Sequence, residues 1–321
     1  MDNKAIYKKT IGFSLWRVLW DLLATVILIG FIVAGFYIAD GAANSGLIGL
    51  AIGAVLGGIC AYIIVHFVAY TYKAGQIAMM TEGVVKGKLP EDTIKAGKAI
   101  VKKRFTTIAG YYAATGVIKG IFNQIGTGIT AVGQAVGGDT GGAIGGTISS
   151  VINTIVAYLC DCCLGWVFYR SDITAPKATC EGAIIFFKHG KTLAKNLGRV
   201  FGISLASFAI IGGVFFGITY LVLQAFPDAM TALSNEIVEI STSGEVPEFV
   251  YNTTTLALIC SAIVGIVMWS ILHSTFVRPF ILVGVLRNFI ESGKSETIKE
   301  SDYAELDKKS AKFAKAHADV V

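Results

Sequence analysis

Two stretches of the chain, residues 22–39 and 256–272, are almost wholly apolar and contain no charged side chain. An α-helix rises about 1.5 Å per residue, so runs of this kind approach or match the roughly 30 Å of a bilayer's hydrocarbon core. A water-soluble helix keeps one polar face, and these have none. The chain as a whole is 54% hydrophobic and 15% charged over 321 residues. Soluble domains usually carry about a quarter charged residues. The expected class is therefore all-α: a polytopic membrane protein. A cleaved signal peptide is not expected, because Arg17 and Asp21 interrupt the start of the first apolar run, which is too long for an h-region.

Hydropathy places six transmembrane helices at about 19–39, 46–71, 106–133, 146–169, 200–226 and 254–277. They form three hairpins. The links at the outer ends hold seven acids (Asp40, Asp139, Asp228, Glu236, Glu239, Glu245 and Glu248) and no lysine or arginine. Nearly all the basic residues fall in the N-terminus, the 72–105 and 170–199 links and the region from Arg278 onward, Lys119 being the exception among them. Positive charge stays on the cytoplasmic side, so both termini are expected there, in a cell (plasma) membrane protein. The net charge of +5 belongs to that face and predicts anionic headgroups of the lipid bilayer as its partner. No basic domain stands apart, so nucleic acid is not expected. A homo-oligomer or a membrane-protein partner fits such a chain. The six cysteines lie in spans or on the cytoplasmic side, which argues against a disulfide framework.

The domain plan is a transmembrane domain over 1–290 and a charged cytoplasmic tail over 291–321. Links 74–104 and 176–195 read as interfacial amphipathic helices with apolar faces in the lipid. Their cations, Lys98, Lys102, Lys103, Arg104, Lys188, Lys191 and Lys195, would face the headgroups. In the tail, Glu305 four residues before Lys309 favours a solvated helix. A possible parallel triplication links the hairpins. Lys4-Ala5-Ile6 precedes the first as Lys98-Ala99-Ile100 precedes the second, and Gly182-Ala183-Ile184 is a looser copy. On the returning helices Tyr62 stands four before His66, Tyr158 four before Cys162, and Trp269 four before His273. Glycines four apart, such as Gly49, Gly53 and Gly57, predict close helix packing, and the glycine-rich 126–146 is either packed or re-entrant.

Ionisable residues inside spans mark function or pairing. They are Asp21, His66, Lys119, Asp161 and His273. Lys119 and Asp161 stand 21 residues either side of position 140, the turn of the second hairpin, so equal depth allows them to pair. Asp21 and His66 are nearly symmetric about the first turn. Such groups form either buried ion pairs that fix register or a polar pathway for a cationic or zwitterionic solute. A metal held by His66, Cys162 and His273 requires the three hairpins to converge. The Cys160-Asp161-Cys162-Cys163 run lacks the usual ligand spacing. No cofactor is expected, and no catalytic motif argues for an enzyme.

Cys180, Phe186-Phe187 and Asn196-Leu197-Gly198-Arg199-Val200 resemble the cysteine, aromatic and N-x-x-R-V pattern of the choline transporter-like family. The match is confined to residues 180–200 and contains nothing catalytic. That family is larger, so its span count does not carry over; uncharacterised bacterial multi-pass families share the hairpin plan equally. Two functions stand open. One is a transporter or permease for a small solute. The other is a non-transporting membrane scaffold or assembly factor that binds lipid headgroups or partner proteins through its links and tail.

Overall fold

The computed structural model describes residues 1–43, 45–105, 115–121, 124, 157–195, 197–240 and 248–319. Among these the chain is helical, with no strand. The helices are α1 (Asn3–Ala43), α2 (Gly46–Ile63), α3 (Tyr70–Lys86), α4 (Thr93–Arg104), α5 (115–121), α6 (Ala157–Tyr169), α7 (Ala175–Lys195), α8 (Leu197–Ser207), α9 (Gly213–Ala225), α10 (Pro227–Ile240), α11 (Glu248–Tyr251), α12 (Thr253–Leu272), α13 (Arg278–Lys294), α14 (Glu300–Lys309) and α15 (Ala311–Ala318). Among the described residues, three π-helical segments interrupt them: Ile64–Ala69 before α3, Phe208–Gly212 before α9 and His273–Val277 before α13.

Among the described residues, four helical stretches are long and apolar enough to cross a membrane, as in an integral membrane protein: Asn3–Ala42, Ile48–Lys86, Gly202–Ala225 and Thr253–Lys294. They correspond to the expected first, second, fifth and sixth spans. The expected third lies largely outside the described residues, as do 146–156 of the fourth and all of 126–146. The described part of the fourth, α6, is a shorter apolar helix.

The chain divides into two compact units. The first comprises Met1–Ser14, Thr71–Gly202 and Arg278–Val321; the second comprises Leu15–Tyr70 and Ile203–Val277. The large exposed apolar side chains belong, Phe280 excepted, to the second unit. Leu19, Val26, Ile38, Ile52, Ile210, Leu221 and Ile263 are examples, each more than half exposed. Water would not tolerate so much uncovered hydrocarbon, and lipid requires it.

The second unit contains two hairpins. In the first, α1 and α2 meet backbone to backbone. A methyl group on Gly35 would strike the Gly49 carbonyl, one on Gly49 the Gly35 carbonyl, and one on Gly53 the Phe31 carbonyl. Lipid supplies no hydrophobic drive between helices, so this close approach is how they gain dispersion contacts. In the second hairpin Gly265 of α12 faces the Gly212 carbonyl, where a Cβ would stand at 2.8 Å. The other spaced glycines differ. At Gly202, Gly213 and Gly217 an added methyl group would find nothing within 4 Å, so spacing alone does not assign them a partner. Asn252 serves as the N-cap of α12, its side chain accepting from the Thr255 N–H at 3.1 Å.

The first unit has an ordinary protein core. α6 runs through it, buried from Tyr158 to Phe168. Gly165 lies against Leu286 of α13 and Thr81 of α3, Gly182 of α7 against the Cys163 thiol, and Gly293 of α13 against Trp166. Phe13 fills the space beside Gly75 and Gly97, which joins the start of α1 to α3 and α4.

This corrects the lipid-facing reading of the links. Ile77, Met79 and Met80 are buried in protein, and α7 packs Cys180, Ala183 and Ile184 against Tyr303, Leu306, Phe313 and Ala316. The tail is folded onto α7 rather than solvated, although the Glu305–Lys309 pair does form, at 2.7 Å. The amphipathic pattern was real, but a helical partner covers it.

Gly53→Leu is expected to destabilise the detergent-solubilised protein by about 1–3 kcal/mol or more through overpacking. Gly217→Ala, in open space, should change stability by less than about 0.5 kcal/mol. Thermal melts followed by size-exclusion chromatography compare the two.

Candidate functional site

Asp161 has the most constrained polar surroundings in the first unit. α6 carries it into the core, where its side chain is 5% exposed. Oδ1 accepts from Lys73 Nζ at 2.6 Å and Oδ2 from Arg278 Nη2 at 2.5 Å. The same Nη2 also donates to the Ala157 carbonyl at 2.8 Å, and the guanidinium lies 5.4 Å from the Tyr158 ring centre. Lys73 stands near the start of α3 and Arg278 opens α13. One carboxylate thus joins three helices that each continue or return from an apolar run. A lone buried carboxylate costs several kcal/mol, and two cations with directed hydrogen bonds offset that cost.

Lys119 is not the partner. It is exposed on α5, and Asp161 has both oxygens occupied by Lys73 and Arg278. Matched depth within one hairpin pointed to Lys119, whereas the actual cations come from the helices that follow the neighbouring hairpins. The flanking Cys160, Cys162 and Cys163 are buried free thiols. Cys162 belongs to the first unit and His66 and His273 to the second. Among the described residues no group of three or more His, Cys, Asp or Glu could hold a metal ion.

His273 opens a π-helical segment in the second unit. Its Nδ1 is 2.8 Å from Ser207 Oγ, which also accepts from Trp269 Nε1 at 3.2 Å. Ser204 Oγ lies 3.5 Å from Nε2. Arg17 of α1 donates to the Ser274 carbonyl at 3.3 Å. His66 occupies the matching place on the first hairpin, in the π-helical segment Ile64–Ala69, stacked on Tyr62 with ring centres 3.8 Å apart. π-Helical turns make up well under 1% of residues and recur at functional sites. Their presence at both aligned histidines is a signal the sequence alignment could not carry. Asp21 lies one turn beyond Arg17 and makes no ion pair among the described residues.

The link cations divide. Lys98 Nζ donates to Tyr72 OH at 3.0 Å and sits over that ring. Arg104 donates to the carbonyls of Ile173 at 2.7 Å and Arg170 at 2.9 Å, and burial lowers its pKa. Lys102 and Lys103 are exposed. The side chains of Lys191 and Lys195 lie outside the described residues. Lys188 bridges Glu296 and Asp302, each at 2.8 Å, and His189 adds a 2.9 Å contact to Glu296.

This ionic clasp holds the tail on α7. Hydrogen bonds from Lys188 hold the Glu296 and Asp302 carboxyls below their ordinary values, and the same bonds raise Lys188. Beneath it, burial pushes the Cys180 thiol up to about 12, with Asp307 and Glu181 adding to the effect.

Removing Asp161 with Asp161→Ala leaves two partly buried cations without a carboxylate, at an expected cost of about 2–4 kcal/mol, below that of a fully buried pair. The triple variant Asp161→Leu, Lys73→Met, Arg278→Met should recover most of it; denaturant unfolding in detergent measures both. For the clasp, depressed carboxylates stabilise docking above their ordinary values of 4.5 and 3.8, and that contribution is lost as pH falls through the lowered ones. Cys180 should therefore resist dithiodipyridine, a reagent that remains active in acid, at neutral pH. Its labelling, mapped by mass spectrometry, should accelerate as acid releases the tail.

Comparison of the chain with family models, with curated proteins and with solved structures finds no match in any of the three.

Proposed function

We propose that the protein is a non-transporting membrane scaffold, anchored in the plasma membrane with both termini cytoplasmic, that presents the first unit to lipid headgroups or partner proteins. The observation that carries this reading is the state of Asp161. A transport pathway for cations needs an acid that a solute can reach, and this carboxylate is committed to Lys73 and Arg278 inside a packed core. The first unit also buries its apolar residues in protein, as a domain built for water does. Acids without basic residues in the 40–45 and 227–252 links, set against lysine-rich segments elsewhere, support the cytoplasmic assignment. Exposed Lys8, Lys9 and Lys102 supply charge for anionic headgroups. No catalytic step belongs to this reading.

A second reading has one specific observation in its favour. His273, Ser207, Ser204 and Trp269 form a polar cluster on helices otherwise dressed for lipid. Polar groups at such positions line proton or solute paths in many membrane proteins, which would make the chain a transporter or permease.

Reconstitution separates the two. Proteoliposomes holding a pH-sensitive dye, given a proton gradient and a potassium diffusion potential, should leak no faster than protein-free vesicles. A protein-dependent flux that His273→Ala abolishes would overturn the scaffold reading.

A further inference from the structure

The first unit contains a cleft of about 350 Å³ lined by α3, α4, the end of α6 and Ser171. Its volume lies at the lower end of the range of small-molecule sites, about 300–1,000 Å³. The lining is of two kinds. Ala78, Val85, Ile100 and Phe168 give an apolar wall. Lys86, Lys103, Arg104 and Ser171 give a basic, hydroxyl-bearing one, with Glu82 the acid among them.

The charges do not cancel. Glu82 is taken by Lys86 at 2.5 Å, the two lying one turn apart on α3. Arg104 hydrogen-bonds to backbone carbonyls, which consume two of its donors and none of its charge. Its Nε–H is buried with no acceptor among the described residues, an uncompensated donor beside the cleft. Lys103 is exposed at the rim and has no ion pair among the described residues. Just outside, Arg170 is shared between Asp172 at 3.0 Å and Glu181 at 2.7 Å, so Asp172 also offsets part of the Arg104 charge, and Lys294 lies over the Tyr169 ring. After pairing, the surplus beside an apolar wall is positive.

We propose that this cleft binds a small organic anion, its apolar body against Ala78, Val85, Ile100 and Phe168 and its phosphate or carboxylate at Lys103 and Arg104. The cleft is preformed, which spares the ligand the entropy of ordering it. A partly enclosed cation also attracts an anion more strongly than one on open surface. Convergence of the C-terminal ends of α3, α4 and α6 explains part of the basic cluster, since cations there complement helix carbonyls. It does not explain the apolar cavity between them or the surplus at Lys103. The inference does not depend on the scaffold reading, because the cleft lies wholly within the first unit. The anion can arrive free in solution or as the headgroup of a lipid.

The test uses the full chain in phosphatidylcholine nanodiscs. Phenyl phosphate and benzoate are titrated by calorimetry, with benzylamine as the cationic control. In parallel, thermal stability is compared between nanodiscs with and without phosphatidic acid. Lys103→Glu reverses the rim charge at an exposed position, Val85→Phe fills the apolar wall, and Lys95→Glu, exposed but outside the cleft, is the control.

Saturable binding of either free anion, weakened about tenfold or more by Lys103→Glu and by Val85→Phe but unchanged by Lys95→Glu, supports a soluble ligand. Absence of free-anion binding together with phosphatidic acid stabilisation that Lys103→Glu and Val85→Phe remove supports a lipid source. Binding of benzylamine with equal affinity, or anion effects to which all three variants respond alike, overturns the proposal, as does no response to any probe. None of these outcomes depends on whether the protein conducts protons, so failure here and failure of the scaffold reading remain separate results.

Discussion

The carboxylate of Asp161, held between Lys73 and Arg278, is the constraint on which the first unit depends. Neither cation is close to Asp161 in sequence. Each opens or nearly opens a helix that emerges from an apolar run, α3 after the first hairpin and α13 after the last. Fixing both to one point on α6 sets where those helices stand along it. The close contacts between α13 and α6, Gly165 with Leu286 and Gly293 with Trp166, agree with that alignment. An apolar core alone would tolerate a slip of one turn more readily than a bidentate carboxylate does.

The two units solve burial in opposite ways, and the same residue types serve both. Leucine, isoleucine and valine form the core of the first unit and, Val250 and Leu256 apart, supply much of the exposed surface of the second. Glycine also changes its meaning. In the α1–α2 hairpin it removes side chains so that backbones touch, whereas in the first unit it makes room for Trp166, Cys163 and Phe13. The tail belongs to the water-adapted solution. Tyr303, Leu306 and Phe313 complete a core that α7 could not close by itself, and Lys188 adds the ionic clasp over it.

Four long apolar helices were legible in the sequence because hydropathy is additive along a chain and needs no knowledge of neighbours. Asp161 stood out for the same reason, as a charge in an apolar run. Its partners did not, because depth matching assumes that a buried charge finds its counterion within its own hairpin. The apolar faces of α3 and α7 were legible too, but periodicity says only that a face is covered. Nothing local distinguishes lipid from Met79's neighbours or from Phe313. The cleft was illegible altogether: Val85, Ile100, Lys103 and Ser171 meet only once α3, α4 and α6 are packed.

The π-helical segments Ile64–Ala69 and His273–Val277 have a further consequence. Each admits one extra residue into an otherwise continuous helix, and each sets a histidine, His66 or His273, in the wider turn. Loss of a single residue from either segment would restore an ordinary α-helical turn. The setting of each histidine therefore depends on residue count as well as on side-chain identity.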